Sequence, residues 1–578
     1  DQVQAATQTD RLGRYLFGGL EAGSYAVEVS RLGYHESAAT SIDVTSEGRT
    51  VDIALVPLAF TLDPVVVTAS MSDETKLDSP VSASVVPRLD IEESAVPTAA
   101  DHLKYVPGVD FSHKGIATHA FSTRGPRNLT PESMLFLSDY RYAAVPYLRT
   151  NTALLVPYMA EDVERVEVIR GPGAVLYGPN SRRGVVHVIR RSPLGPDETT
   201  VSILGGEREY FDGAFRLSRS FADSTIGFKL SGRYVRGREW PFADSVEIRL
   251  RNDAIGLGAD PDTLLLGLRE EDVEGLYGEA RVDWRPSENS LLATTAGISR
   301  ATGIETGGEA GAAQALDWSQ GYVHSRFENG ALFANFSFNW GDAGDTYNLR
   351  NGIGLTNRSQ LVTGQVQHEW RLGATRLLTG TDVLWTIPRT EGTLNGQFES
   401  DDNVVETGLY AYATTALSPR FDLITALRAD HHNRLDRDWF LSPRAGIVVK
   451  PSPTHSFRFA YSRTFEQPTT RSMFADFSLG PLGPLPYNIQ LFGLGGDGLR
   501  VVRECGGLCM RTPDAFGGMG GTLLAAEATS MWPVIVGALA AQGVDISGLP
   551  APTAADVATV FGALNFTSGA FDPVPAAS

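Results

Sequence analysis

The chain has 578 residues, a formal charge of −19, a pI near 5.0, 42% apolar residues, 60 Gly and 32 Pro. This length exceeds one ordinary core, so several domains or one large barrel are expected, and the Gly and Pro content is that of a turn-rich β protein. The acidic balance excludes a nucleic-acid binder, and two cysteines exclude a disulfide framework or a four-Cys zinc site.

No signal peptide is visible, and no run of about twenty apolar residues marks a spanning helix. Residues 1–58 contain TDRLGRYLFGGLEAGSYAVEVSRLGYHE, short alternating strands separated by Gly turns. Gly13, Phe17, Leu20, Gly23, Tyr25, Gly33 and Tyr34 resemble the later part of a carboxypeptidase-regulatory-like β-sandwich. Its first strand is missing, so the chain is expected to begin inside that module.

Residues 59–75 form a linker. Within it Asp63, Pro64, Val65, Val66, Val67 and Thr68 favour an extended backbone, because three successive Val residues prefer strand and Pro64 blocks helix. The segment resembles a TonB box, although it would also suit the last strand of the preceding sandwich. An exposed extended segment can add to the edge of a partner's sheet.

Residues 76–195 read as a small mixed α/β domain. Thr98 caps a short helix through Leu103, and LKYVPGVDF follows at 103–111. One strand ends at Arg124-Gly125, and another, Met134 to Tyr140, ends in Asp139-Tyr140. From Glu161 to Ser192, a strand carrying Val163, Val166 and Val168 ends in Arg170, Gly171, Pro172 and Gly173. A Leu176-Tyr177-Gly178 turn then leads into a second apolar strand, Val185 to Ile189. Alone, this unit would suit any soluble α/β domain. Together these elements resemble the plug domain of TonB-dependent outer-membrane receptors, with Arg124, Gly125, Arg170, Gly171, Pro172, Tyr177 and Gly178 as its signature. Departures from the family pattern are Tyr140 where Gly is usual, Arg182 and Arg183 where small residues are common, and His187 where Asn is usual.

From 196 to 469 long two-residue alternation predicts about thirteen strands, several of about ten residues, enough to cross a bilayer at a tilt. Lys229, Ser231 and Arg233 alternate with Phe228, Leu230 and Tyr234. Tight turns are expected at 222–224, 286–289, 328–330, 418–420 and 451–455. Long loops are expected near 237–272, 301–320, 342–360, 387–406 and 431–441. The segment 441–469 resembles a hairpin of TonB-dependent barrels. Plugged barrels of this kind have about 22 strands, so the predicted barrel is incomplete and the chain reads as a fragment. Residues 470–578 are expected to be one large extracellular loop with two short helices, Met531–Ala541 and Thr553–Leu564. The fold class is therefore mainly β: a β-sandwich remnant, a mixed plug and an antiparallel transmembrane β-barrel of the 22-stranded type, incomplete here.

Catalytic constellations are weak. His35-Glu36 and His368-Glu369 lack the second His of a zinc-peptidase motif, and His431-His432 suits a solvated loop tip. Gly493, Gly495 and Gly498 spell GxGxxG without a strand-turn-helix unit around them. No catalytic residue, metal site or cofactor is expected, and the chain does not read as an enzyme. Cys505 and Cys509 suit one small loop disulfide or a pair of free thiols.

The resemblance implies an outer-membrane transporter, its N-terminal region periplasmic, importing a scarce bulky nutrient: a siderophore, metal chelate, cobalamin, oligosaccharide or peptide. Its partners would be a TonB-type energy-transducing protein at Asp63–Thr68, the bilayer with lipopolysaccharide, an extracellular ligand and a surface lipoprotein. His113, Lys114, His119, Arg127 and Asn128, polar residues in plug loops, are the candidate ligand contacts. The basic residues Arg124, Arg170, Arg182, Arg183, Arg190 and Arg191 are expected to pair with acidic groups on the barrel wall. A competing reading is a passive barrel serving as a surface adhesin or assembly component, which would have no use for a periplasmic pull point.

Overall fold

The computed structural model describes residues 14–27, 40–45, 49–54, 81–116, 118–123, 134–156, 158–171, 174–181, 183–306, 311–435, 439–452, 455–481 and 488–493, with a few short pieces elsewhere. It divides into two units, Asp1–Pro64 and Val65–Ser578. In the first, Gly23–Val27 pairs antiparallel with Thr40–Val44, and the Tyr15 hydroxyl donates to the Val51 carbonyl at 2.9 Å.

The second unit opens with a two-residue strand, Val65–Val66, paired with Glu74–Thr75. A five-stranded sheet follows, in the order Ser82–Pro87, Val163–Arg170, Gly184–Arg190, Met134–Ser138 and Arg141–Tyr142. One pairing, Gly184–Arg190 with Met134–Ser138, is parallel. Covered on both faces, the central strands are almost continuously apolar. Val166, Val168, Val186 and Val188 pack with Ile91, Leu103, Phe121 and Phe136 in the core of this domain. Gly184 has φ +144°, and a Cβ there would overlap the Ile169 carbonyl oxygen.

Thirteen antiparallel strands then pair in chain order. They are β1 (Glu198–Gly205), β2 (Phe211–Phe221), β3 (Ile226–Arg238), β4 (Asp272–Ser287), β5 (Ser290–Thr306), β6 (Ala312–Asn329) and β7 (Leu332–Asp342). The sheet continues with β8 (Gln360–Leu372), β9 (Thr375–Ile387), β10 (Val404–Ser418), β11 (Phe421–His432), β12 (Phe440–Ser452) and β13 (His455–Ser462). At one end the connections are short: 222–225, 288–289, 330–331, 373–374, 419–420 and 453–454. At the other they run 206–210, 239–271, 307–311, 343–359, 388–403 and 433–439.

The two faces differ as period-two strands require. Lys229, Ser231, Arg233, Asn335, Ser337 and Asn339 are buried on the inner face, whereas Ile226, Leu230, Phe336 and Trp340 are exposed on the outer one. Exposed Trp284 and Trp370 lie near the short-turn end, and Trp340, Trp385 and Trp439 near the long-loop end. An apolar outer band between two aromatic rows is the pattern of an outer-membrane barrel.

Three expectations are corrected. The long loop expected at 301–320 shrinks to 307–311, because β5 and β6 stay paired past a register shift at Ala301/Gly303 as far as Thr306 and Ala312. The region after Thr469 is not all loop: Thr470–Phe474 forms a short helix, and Asp476–Pro481 pairs with Asn488–Phe492. Buried Met473 and Phe474 anchor that helix against Val404. Gly562–Asn565 is a strand, where the second helix was expected to run to Leu564. The remainder of that helix, the helix at 531–541 and Cys505 lie outside the described residues, and of Cys509 only the backbone, in a short strand, is described.

Candidate functional site

The Arg-Gly-Pro to Leu-Tyr-Gly segment works as a docking knob. After Arg170 the chain turns at Gly171, φ +96°, whose N–H donates to the Arg183 carbonyl at 3.1 Å. A single helical turn, Ala174–Tyr177, then presents Val175, Leu176 and Tyr177 to Leu378, Tyr410, Tyr412, Ile424 and Val448 on β9 to β12. Gly178 ends it at φ +82°, and a Cβ there would come within 3.3 Å of the Arg428 guanidinium. That guanidinium is held by Asp382 at 2.7 Å through two bonds and by Asp430 at 2.7 Å, and it also donates to the Val175 carbonyl at 3.4 Å. A second apolar contact joins Val145, Leu154 and Leu155 to Val273, Ala301, Ala315 and Trp318 of the wall.

Two departures from the family pattern turn out to be neighbours. Asp139 and Tyr140 both adopt left-handed conformations, φ +47° and +72°, so the turn keeps its Asp-Gly shape with a tyrosine in the glycine's place. A β-carbon is costly there. The Tyr140 N–H donates to Nε2 of His187 at 3.0 Å, and the two rings meet edge to face at 4.7 Å. The Tyr140 ring also contacts Phe333 of β7 at 5.0 Å. His187 is fully buried, and desolvation pushes its pKa down to about 4. It is therefore a neutral acceptor, the role an asparagine oxygen would play.

Charges of both signs join the mixed domain to the wall. Arg190 pairs with Glu279 on β4, and Arg191 donates to Glu198 at the start of β1 at 2.9 Å. In the reverse sense, Asp162 receives Lys229 of β3 at 2.6 Å and Arg216 of β2 at 3.1 Å. Asp139 receives Arg281 of β4 at 3.1 Å and the Arg190 N–H at 3.0 Å. Burial alone would raise the Asp139 pKa, but Arg281, Arg326 and Arg190 around it hold the carboxyl well below the usual range. Toward the long-loop end Arg149 pairs with Glu406, and the Tyr147 hydroxyl donates to Asn395 at 2.7 Å. The expectation that the arginines pair with wall acids thus fits Arg190 and Arg191. Arg170 instead turns back to the Pro107 carbonyl, and Arg183 donates to Ser122 at 3.1 Å. Asp139, Asp162 and Arg149 were missed, since their wall partners are 54 to more than 200 positions away in the chain.

The hairpin Asp110–His113 with His119–Ser122 points toward the long-loop end. The Ile116 N–H donates to Glu239 at 2.7 Å, and the Thr118 hydroxyl to the Ile304 carbonyl at 3.2 Å. His113 and His119 are cross-strand partners, and Asp101 from the start of the 3-10 helix Ala99–Tyr105 meets His113 at 3.2 Å. Desolvation first, then the nearby His113 and Lys114, pushes the His119 pKa down to about 3, while burial raises that of Asp101. The structure therefore joins His113 and His119 on one hairpin, with Lys114 at its tip. Of the other expected site residues, Arg124, Gly125, Arg127, Asn128, Pro172, Arg182, Asp63, Pro64, Val67 and Thr68 lie outside the described residues.

Comparison with known proteins agrees with this geometry. Residues 75–185 match the TonB-dependent receptor plug domain, 199–502 the TonB-dependent receptor-like β-barrel, and 1–56 the carboxypeptidase regulatory-like domain. The vitamin B12 transporter BtuB of Vibrio vulnificus is 25% identical over 424 residues, 71% of this chain and 64% of that protein. The ferrioxamine B receptor of Salmonella typhimurium is 27% identical over 199 residues, 32% of this chain and 27% of that one. The chain thus spans less than two thirds of the length of these relatives. In fold it is similar to the siderophore receptor PirA from Acinetobacter baumannii, with TM-score 0.50, 17% identity and coverage of 73% of this chain and 67% of that one. A ferric enterobactin receptor (PfeA) variant from Pseudomonas aeruginosa has TM-score 0.50 and 17% identity, covering 72% and 66%. With the barrel match alone taking in more than half of its residues, and a plug docked inside that wall by a signature turn, the chain belongs to the TonB-dependent receptor family.

Proposed function

We propose that this protein is an outer-membrane importer of a bulky, scarce nutrient of the ferric-siderophore or cobalamin class, worked by a TonB-type protein that pulls on Asp63–Thr68 from the periplasm. The observation that carries this reading is the plug seated against the polar inner face of an apolar-coated barrel wall through paired charges of both signs. Such a seal closes the lumen while leaving contacts that can be exchanged for water when the plug moves. The short-turn end then faces the periplasm and the long loops face outward. Ligand is taken between those loops and the plug hairpin carrying His113, Lys114 and His119. The names of the relatives, a vitamin B12 transporter and a ferrioxamine B receptor, support the substrate class. The test is whole-cell uptake of labelled cyanocobalamin and a panel of ferric siderophores, with and without deletion of residues 63–68. Uptake of at least one probe that disappears in the deletion, while the receptor stays folded in the membrane, is the expected result. Uptake unaffected by the deletion would sink the reading.

A further inference from the structure

We propose that Asp101, His113 and His119 form a binding site for a divalent transition-metal ion of the zinc type on the outward-facing side of the plug. One donor atom from each residue lies within 4.8 Å of the others. Two imidazoles and a carboxylate make a borderline donor set of the kind that takes zinc and its first-row neighbours, with a fourth position left open.

The hydrogen bonds around Thr98 decide which atoms of Asp101 and His119 stay free to act as donors to a metal. The Thr98 hydroxyl donates to Asp101 Oδ2 at 2.8 Å, and the Thr98 N–H donates to the same oxygen at 3.0 Å. A hydroxyl has one hydrogen, so its 2.8 Å contact with His119 Nε2 requires the ring to donate there. The lone pair of neutral His119 is then on Nδ1. That nitrogen and Asp101 Oδ1 are both buried and make no hydrogen bond among the described residues, the contact of Oδ1 being the ion pair with His113. Buried acceptors without a hydrogen bond are unfavourable, and one cation satisfies both.

His113 supplies the third donor from the opposite strand. Its Nε2 is 3.2 Å from Asp101 Oδ1, and its side chain is half exposed. Donors on one zinc lie at most about 4 Å apart, and a rotation of this half-exposed ring about its side-chain bonds is what would close the remaining gap. Phe111 packs against both imidazoles, at 5.0 Å from His113 and 5.6 Å from His119, forming the apolar shell that a metal site uses to fix its ligands. The opposing element is the neighbouring cation Lys114, whose charge is partly offset by Glu305 of the wall. The ligands come from a helix start and two hairpin strands, so no contiguous motif announces them.

The inference does not rest on the import reading. It is tested on the full chain purified in detergent and stripped with chelator, by zinc titration in competition with a chromophoric chelator and by the visible spectrum with Co²⁺. One equivalent of zinc should bind, and the Co²⁺ spectrum should carry nitrogen-ligand d–d bands. His113→Ala, at a half-exposed position, should weaken binding at least about tenfold, and Thr98→Val, which removes the hydroxyl that orients Asp101 and His119, by about ten- to a hundredfold. Heat-modifiable migration on gels checks that each variant is folded. A wild-type protein that takes up no stoichiometric zinc overturns the site, as does a folded H113A/H119Q variant that binds as the wild type does.

Discussion

Asp162→Asn tests the charge latch at its most buried point. Its carboxylate receives Lys229 and Arg216, which are 0% and 1% exposed. Breaking a buried pair by removing one partner costs about 3–5 kcal/mol, because the other charge is left uncompensated. Here the cations keep some help: Arg216 is 3.2 Å from Glu198, and Lys229 donates to the Arg191 carbonyl at 3.1 Å. The lower end, about 3 kcal/mol, is therefore expected. At about 1.4 kcal/mol per tenfold, the undocked plug population rises on the order of a hundredfold. Hydrogen exchange should show this as faster exchange in Val163–Arg170, with β5 to β9 unchanged, and cells should admit more of a large antibiotic such as vancomycin. Removing both charges in D162N/K229M should restore part of the protection, because no cation is then stranded at position 229. Exchange within threefold of wild type in D162N would refute the reasoning, as would a double variant more damaged than the single one.

Tyr140→Gly should relieve the left-handed strain at φ +72° but lose the ring contacts with His187 and Phe333. A double-mutant cycle with His187→Asn should show coupling of roughly 0.5–3 kcal/mol between the two positions in thermal unfolding, and additive effects would count against their being a pair. Acidification should loosen the plug through His187. Its folded pKa of about 4 lies below the ordinary value near 6.5, so the unfolded state binds the extra proton first and stability falls as pH drops between those values. From pH 7.5 to pH 5 the loss is about 2 kcal/mol, and H187N should flatten that part of the profile. Gly184→Ala should prevent native plug packing, since the new Cβ overlaps the Ile169 carbonyl; a variant with wild-type exchange in the plug sheet would contradict this. Finally, cysteines at Ala83 and Ile169, cross-strand partners, should abolish uptake when oxidised and restore it on reduction.

The barrel was legible because its constraint is local. Alternation such as Asn335, Ser337 and Asn339 against Phe336 and Trp340 follows from one wet and one lipid-facing surface, and any window of ten residues shows it. Gly303 misled the reading at β5, since glycine marks turns but here lies in paired backbone opposite Ala315. Met473 and Phe474 looked like loop residues because their burial depends on Val404, about seventy positions away. The charge latch was half legible for the same reason. Arg190 stands out as an arginine in an apolar strand, whereas Asp139 and Asp162 look like ordinary turn acids until Arg281 and Lys229 are brought against them. The histidine hairpin was flagged through polarity alone. Asp101 escaped notice because Thr98-x-x-Asp101 already has a complete explanation as a helix start.

The route along the chain from the pull point to the seal is, on the import reading, short. On the import reading, tension on Asp63–Thr68 reaches the plug sheet at Ser82–Pro87, an edge strand held by six register pairs to Val163–Arg170. Its first residue, Ser82, lies opposite Arg170, which leads directly into the docking knob. Ala83, Val81 and Val85 pack in the same cluster as Val175, Leu176 and Tyr177 and the wall residues Leu378, Tyr410 and Tyr412. Stripping the edge strand thus removes one side of the knob's own packing before the central strands part. The plug core around Val166, Val168, Val186 and Val188 belongs to a separate cluster. A modest local loss can therefore free the knob while that core stays folded. The remaining hold is then the apolar contact of Val145, Leu154 and Leu155 with the wall and the ionic latch, whose groups water can solvate as the lumen opens. A purely apolar seal would lose its contacts with nothing to replace them, so on the import reading the mixture of two apolar contacts and many paired charges suits a plug that must give way and return.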